Sequence, residues 1–127
     1  MFPFRVTGVI LMALAFSAPA SSAHHSFAMF DQEKTLTLEG TVKEFQWTNP
    51  HTWLQLVVKD PVTGREQEWG LEAQSVAIQT RMGWTRHSLS PGDHVVVQIH
   101  PVNGGLAGGS LLSATVNGKL IGNPPAP

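Results

Sequence analysis

From residue 42 onward, apolar residues recur at every second position in short runs. Val42, Leu54, Leu56, Val58, Trp69, Leu71, Val95, Val97, Ile99, Leu112, Ala114 and Val116 carry this alternation. A period of two over four to eight residues predicts strands with one buried face. Five strands follow, at about Thr35–Gln46, Thr52–Lys59, Glu66–Glu72, Asp93–His100 and Gly109–Asn117. Turn residues separate most of them. Asp60-Pro61-Val62-Thr63-Gly64 suits a hairpin loop, Pro91-Gly92-Asp93 leads into the fourth strand, and Gly104–Gly109 links the fourth to the fifth.

The period changes once, between the third and fourth strands. Ser75 suits an N-cap, Val76–Met82 a helix body and Gly83 a C′ residue. Ile78 and Met82 lie four apart and are expected to face the barrel together. The order β-β-β-α-β-β predicts an all-β class (small α+β): a five-stranded OB-like barrel with one short helix between strands 3 and 4. Val42, Leu54, Leu56, Val58, Trp69, Leu71, Val95, Val97, Ile99 and Val116 are its expected inward positions.

The start of the chain follows a different pattern. Arg5 precedes an apolar run of eleven residues, Val6–Phe16, which is too short to span a membrane. Ser21-Ser22-Ala23 then offers the small residues that signal peptidase reads. Residues 1–23 are therefore expected to be a signal peptide, 24–121 one barrel domain, and 122–127 a disordered tail with three prolines. The expected location is the periplasm or the cell exterior. Cleavage after Ala23 makes His24 the mature N-terminus, where an α-amine and an imidazole can chelate one metal ion. Cleavage after Ser22 leaves Ala23-His24-His25, a square-planar amide chelate for Cu(II) or Ni(II). Cleavage after Ala20 leaves the pair inside a short tail.

Composition narrows the chemistry. Removing 23 residues from 127 leaves 104, enough for one small core. Eight Lys and Arg against nine Asp and Glu give the full chain a net charge of −1, with no basic cluster, so nucleic acid is not an expected partner. No second apolar stretch has spanning length, so no membrane span is expected after the leader. The absence of cysteine excludes disulfides and thiolate metal sites, leaving histidine, carboxylate and methionine as ligands.

His51 follows Trp47-Thr48-Asn49-Pro50, where proline stiffens the corner between the first two strands. A histidine on a stiff corner is better preorganised as a ligand than one on a loose loop. If the mature N-terminus folds over this end, the amine and imidazole of His24 and the imidazole of His51 make a three-nitrogen site suited to copper. Glu72, at the end of the third strand, is a further ligand or an acceptor for a histidine N–H. His25 is the fourth candidate. The alternative for His51 is a backbone hydrogen bond at the corner. His94 and His100 share the outward parity of the fourth strand, and His87 lies in a loop; all three are expected at the surface. Trp53 also has outward parity, and Phe27 or Phe30 is expected to pack near it and anchor the N-terminal segment.

His24-His25-Ser26-Phe27-Ala28-Met29-Phe30-Asp31, Gly40-Thr41-Val42, Trp47-Thr48-Asn49-Pro50-His51, Trp69 with Glu72, Gly83-Trp84 and Pro91-Gly92-Asp93 resemble a family of small exported bacterial proteins of unknown function. The resemblance runs from His24 to about Val116 and implies export, a compact β-barrel and a signal cut close to the His-His pair. It implies no settled activity. That family's fourth strand often ends in an aromatic before proline, where this chain has His100-Pro101. The mature start also resembles copper proteins with an N-terminal histidine brace, through the histidine alone.

Two functions are in view. One is copper binding for metal handling or delivery, using His24, His51, His25 and Glu72. The other is a non-metal binding module for a peptide, glycan or envelope partner. No nucleophile elbow, phosphate loop or paired-carboxylate signature points to an enzyme.

Overall fold

A computed structural model describes residues 27–124 of the chain. Six strands and one helix follow a short 3-10 turn at Phe27–Met29: β1 Leu36–Gln46, β2 Trp53–Lys59, β3 Glu66–Glu72, α1 Val76–Arg81, β4 His94–Pro101, β5 Gly108–Val116 and β6 Lys119–Gly122. The sheet order is β3-β2-β1-β4-β5-β6, and a parallel β3–β5 pairing closes five of the strands into a barrel. This is the expected OB-like arrangement, with the helix between β3 and β4.

β1 is long enough to serve two neighbours at once. Gly40 lies opposite Val58 of β2 and Val95 of β4, and a side chain there would overlap the Val57 carbonyl. Closing a small barrel requires strongly coiled strands, and the register irregularity of β1 against β2 lies just beyond this close approach, between Val42 and Glu44. The inward alternation holds along most of the wall. Leu54, Leu56, Leu71, Val95, Val97 and Ile99 are fully buried, with Val42 and Val116 nearly so. Val58 and Trp69, also expected inside, are half-buried and pack on the margin of the core.

Three features depart from the expected pattern. In β5, Gln98 pairs with Ser113 but Ile99 pairs with Leu111, so Leu112 is an extra residue in a bulge. Leu111 is consequently buried in its place, and the Leu112 carbonyl accepts from the Asn123 N–H at 3.2 Å. A sixth strand follows β5. Asn117 and Gly118 both have positive φ, 51° and 74°, which is the geometry a two-residue hairpin favours, and Ile121 returns to the core. Gly122, assigned from the sequence to the tail, thus pairs with Ser113. Residues 125–127 lie outside the described residues.

The third departure is the face of α1. Ser75 caps the helix as expected, its hydroxyl accepting from the Ile78 N–H at 3.4 Å. Ile78, expected to point down, is 39% exposed, and Gln79 is buried instead. The Gln79 amide oxygen accepts from the Gln74 N–H at 3.2 Å, so a polar side chain turns inward to satisfy the β3–α1 junction. Met82, three positions on, packs against the core from the same face.

Trp84, just beyond the helix, fills the barrel end at 1% exposure. Phe45 lies 6.0 Å from it and 5.9 Å from Trp47, centroid to centroid, with tilted rings. In the β2–β3 loop, Asp60 accepts from the Thr63 and Val62 N–H groups, which hold its carboxyl below the usual carboxylate range.

Leu56→Ala should cost about 2–5 kcal/mol in urea unfolding, the range for emptying a well-packed leucine site. Ile78→Ala should change stability by no more than about 0.5 kcal/mol, as expected for a surface position.

Candidate functional site at the corner between β1 and β2

The Trp47–His51 corner is stitched to the start of α1. The Asn49 side-chain oxygen accepts from the Val76 N–H at 3.0 Å, occupying one of the amides that a helix start leaves unpaired. The Thr48 hydroxyl donates to the His51 carbonyl at 3.2 Å. Thr52 N–H donates to the Gln74 carbonyl at 3.0 Å, and Ala73 N–H donates to the Thr52 carbonyl at 2.8 Å. Thr52 itself is fully buried. These bonds fix His51 directly beside the last residue of β3.

That residue is Glu72, and its carboxylate pairs with the His51 Nδ1. The carboxylate side chain is 14% exposed and the imidazole 36% exposed. A carboxylate on Nδ1 holds the hydrogen there and leaves the Nε2 lone pair free, the usual arrangement behind a metal-binding histidine. His51 and Glu72, both named from the sequence, are therefore brought into contact, with the carboxylate as acceptor. The bland alternative for His51, a backbone bond from its ring, is not what the corner shows.

The surroundings of the pair follow from strand register. Trp53 pairs with Glu72, and Glu72 with Ser110 of β5. Trp53 is half-buried with outward parity, because its neighbour Leu54 is fully buried. Phe30 does not stack on it. Phe30 bridges Val102, next to an Asp31 N–H to Pro101 carbonyl bond of 2.8 Å and an Asn103 N–H to Met29 carbonyl bond of 2.8 Å. It is buried at 8% exposure, because this short extended run continues the ladder along β4 rather than lying across the corner.

His24 and His25 lie outside the described residues. Among the described residues, no three of His, Cys, Asp and Glu converge as a metal site would require.

The other histidines sit where parity places them. His94 Nε2 pairs with Glu39 at 2.8 Å, both well exposed, and His87 is exposed. His100 Nδ1 donates to the Lys34 carbonyl at 2.8 Å and so helps tie the N-terminal run to β4. The Glu39–His94 pair was not legible as a pair from the sequence, since 55 residues separate its members. It rims an open groove of about 840 Å³ whose floor includes Leu38, Val57, Val58 and Pro61. His51 and Glu72 do not line that groove. The corner offers paired, partly desolvated donor chemistry, and the groove offers volume.

Replacing Asn49 by alanine should free the Val76 N–H and loosen the corner, at about 1 kcal/mol in chemical denaturation. The same substitution should broaden or shift the His51 imidazole signals in NMR, whereas Ser90→Ala should leave them in place.

No curated protein and no solved structure matches the chain. A family model does, over residues 12–111, from ahead of the barrel into the first part of β5. That match takes in the corner, Glu72 and both N-terminal histidines, and by it the chain belongs to the family of unknown function DUF6152.

Proposed function

We propose that the protein is exported and binds one copper ion through its mature N-terminus and the corner histidine, for metal handling or delivery. The observation that carries this reading is the His51–Glu72 pair. Glu72 holds Nδ1 and leaves Nε2 as a donor on a corner already fixed by four hydrogen bonds. A single imidazole is a weak site, so the reading requires His24 to supply its amine and ring, with His25 near by. Nitrogen donors without thiolate suit Cu(II), in a tetragonal arrangement. Phe30, buried against Val102, anchors the chain a few residues downstream of His24. Burial of one such aromatic contributes roughly 1.5–3 kcal/mol, enough to hold a short segment close to the barrel.

The second reading is a non-metal module binding a peptide, glycan or envelope partner. The groove between β1 and β2 favours it, being a concavity of about 840 Å³ that His51 does not line. The two readings separate on the same measurements.

Intact mass of exported material should match a chain beginning at His24. A chain beginning at Ala23 moves the site to the three-residue amide chelate, and one beginning at Ser21 removes the brace.

Cu(II) titration of the processed protein, followed by EPR, should give one nitrogen-rich site. His51→Ala should weaken binding and change the spectrum, Glu72→Gln should weaken it less, and His87→Ala should do neither. Protons compete with copper for the same nitrogens, so affinity should fall as the solution is acidified. Binding indifferent to His51 would leave the module reading in front.

A further inference from the structure

The first residues of β1 have a neighbour on one side only. The ladder to β4 covers Leu36–Thr41, but the ladder to β2 begins at Gly40, opposite Val58. The Val42 N–H and carbonyl both bond to the Gly92–Asp93 turn ahead of β4, so the even-numbered residues of this stretch turn their backbone groups towards β4. Thr37 and Glu39 turn theirs the other way. Carried on in the same register, Thr37 would face Pro61, which has no N–H. The chain has turned by then. The Asp60 carboxylate accepts from the Val62 and Thr63 N–H groups at 2.7 and 2.9 Å, and the Asp60 N–H donates to the Arg65 carbonyl at 2.8 Å. Among the described residues, no ladder partner faces Thr37 on this side. The barrel wall is thus split between the start of β1 and the β2–β3 hairpin. The groove of about 840 Å³ is that split, with residues 37–41 on one wall and Val57, Val58, Lys59, Pro61 and Glu66 on the other.

The core is short of cover at the same place. Leu36 and Leu38 lie opposite Ile99 and Val97, and Trp69 lies opposite Leu56, so all three share the inward face of fully buried partners. Val58 shares that face through Leu56, two residues before it on β2. Yet Leu36 is 38% exposed, and Leu38, Val58 and Trp69 are half-buried. A second hollow shares Val58, Lys59, Pro61 and Glu66 with the groove and reaches Trp69. An open backbone edge and a row of uncovered inward side chains therefore coincide. An open edge is a template for another strand, and one extended polypeptide completes both features. Lying about 4.8 Å from β1, it would bond to the backbone of Thr37 and Glu39, and every second side chain would cover Leu36 and Leu38. A glycan carries no repeating N–H and C=O to match such an edge. The other side chains would point outward among Glu39, Glu66 and Lys59, where two carboxylates stand against one ammonium with His94 neutral. Lysine or arginine suits those positions.

We propose that the split takes up an extended peptide of alternating apolar and basic residues, added as a strand along Leu36–Glu39 with its basic residues outward. This seat rests on the binding-module reading of the groove, names its ligand class, and is independent of copper at the corner.

The probe is a fluorescein-labelled octapeptide of alternating lysine and valine, titrated by anisotropy against the processed protein free of copper. Saturable binding is expected, at least tenfold tighter than for a glutamate–valine octapeptide or for one with its lysines and valines in separate blocks. Outward residues of the added strand turn their backbone groups to β1. N-methylation of the lysine amides should therefore abolish binding, and N-methylation of the valine amides should leave it within a few-fold. Thr37→Pro removes the N–H that faces the split and should lower affinity tenfold or more with little change in Tm. Thr37→Ala keeps that N–H and should bind as the parent does. Glu39→Lys should weaken the lysine–valine peptide and strengthen the glutamate–valine one. If proline disturbs β1, the two methylated peptides decide alone.

Binding that tolerates both methylations but falls with Glu39→Lys overturns the added strand and keeps the groove as a module that holds peptides by their side chains. Binding by none of the peptides at millimolar concentration also overturns it, and leaves the module reading to glycans. A parent dimer that Thr37→Pro dissociates gives the edge to a second copy and overturns the guest peptide.

Discussion

The β3–β5 pairing closes the barrel, and both the core and the candidate site depend on it. It consists of three residue pairs, Gly70 with Gly108, Leu71 with Gly109 and Glu72 with Ser110. Parallel pairing of segments so far apart in sequence carries a large loop-closure cost, which burial of the inward row must offset. Leu71 supplies part of that burial on the β3 side and Leu111 and Ala114 on the β5 side. The close approach at Gly109 lets β5 lie against the His100 carbonyl of β4 while still meeting β3. The same three pairs fix the outward row, so Glu72 lies between Trp53 and Ser110 because the barrel closes there.

The corner and the helix depend on one another in a similar way. A six-residue helix is far below the length at which a helix stands alone in water. α1 persists because its ends are supplied from elsewhere: Ser75 and Asn49 accept from its first amides, and Gln79 binds back to the β3–α1 junction. Asn49 in turn is held by the helix it caps. His51 inherits this rigidity from two elements at once, which a histidine on an isolated loop would lack.

Much of this was legible in the sequence, because closed barrels made of half-buried strands leave a period-two signature. β1 to β5 fall within a residue or so of their expected bounds, and Ser75 and Gly83 delimit the helix as their chemistry dictates. What was hidden has physical causes. A bulge adds one residue, so Leu112 keeps the alternation in sequence while Leu111 takes the core position. Gln79 is buried for its hydrogen bond, which no hydrophobic pattern reports. Trp84 lies after the helix, outside any periodic run, so its burial carried no signal. β6 did carry one, the Asn117-Gly118 pair, but its strand is four residues long with a single buried apolar side chain. At the site, His51 and Glu72 were each legible as candidates because both end or precede a strand at one corner. Their contact is set by the register of β2 on β3.

Tethering is what makes two histidines on one small barrel worth more to a metal than their separate affinities. A donor joined by a short link to a second donor meets it at an effective concentration in the millimolar range, which can raise affinity by about 10²–10⁴ without any new contact. The gain disappears where the link cannot span the gap. Phe30 and the Asp31 and Asn103 backbone bonds fix one end of the link against β4. Glu72 holds the His51 imidazole on the corner. An unanchored histidine pair at a chain end would chelate locally and ignore His51. An anchor much farther along the barrel would leave the corner out of reach. The proposed chelation depends on both of these points being held.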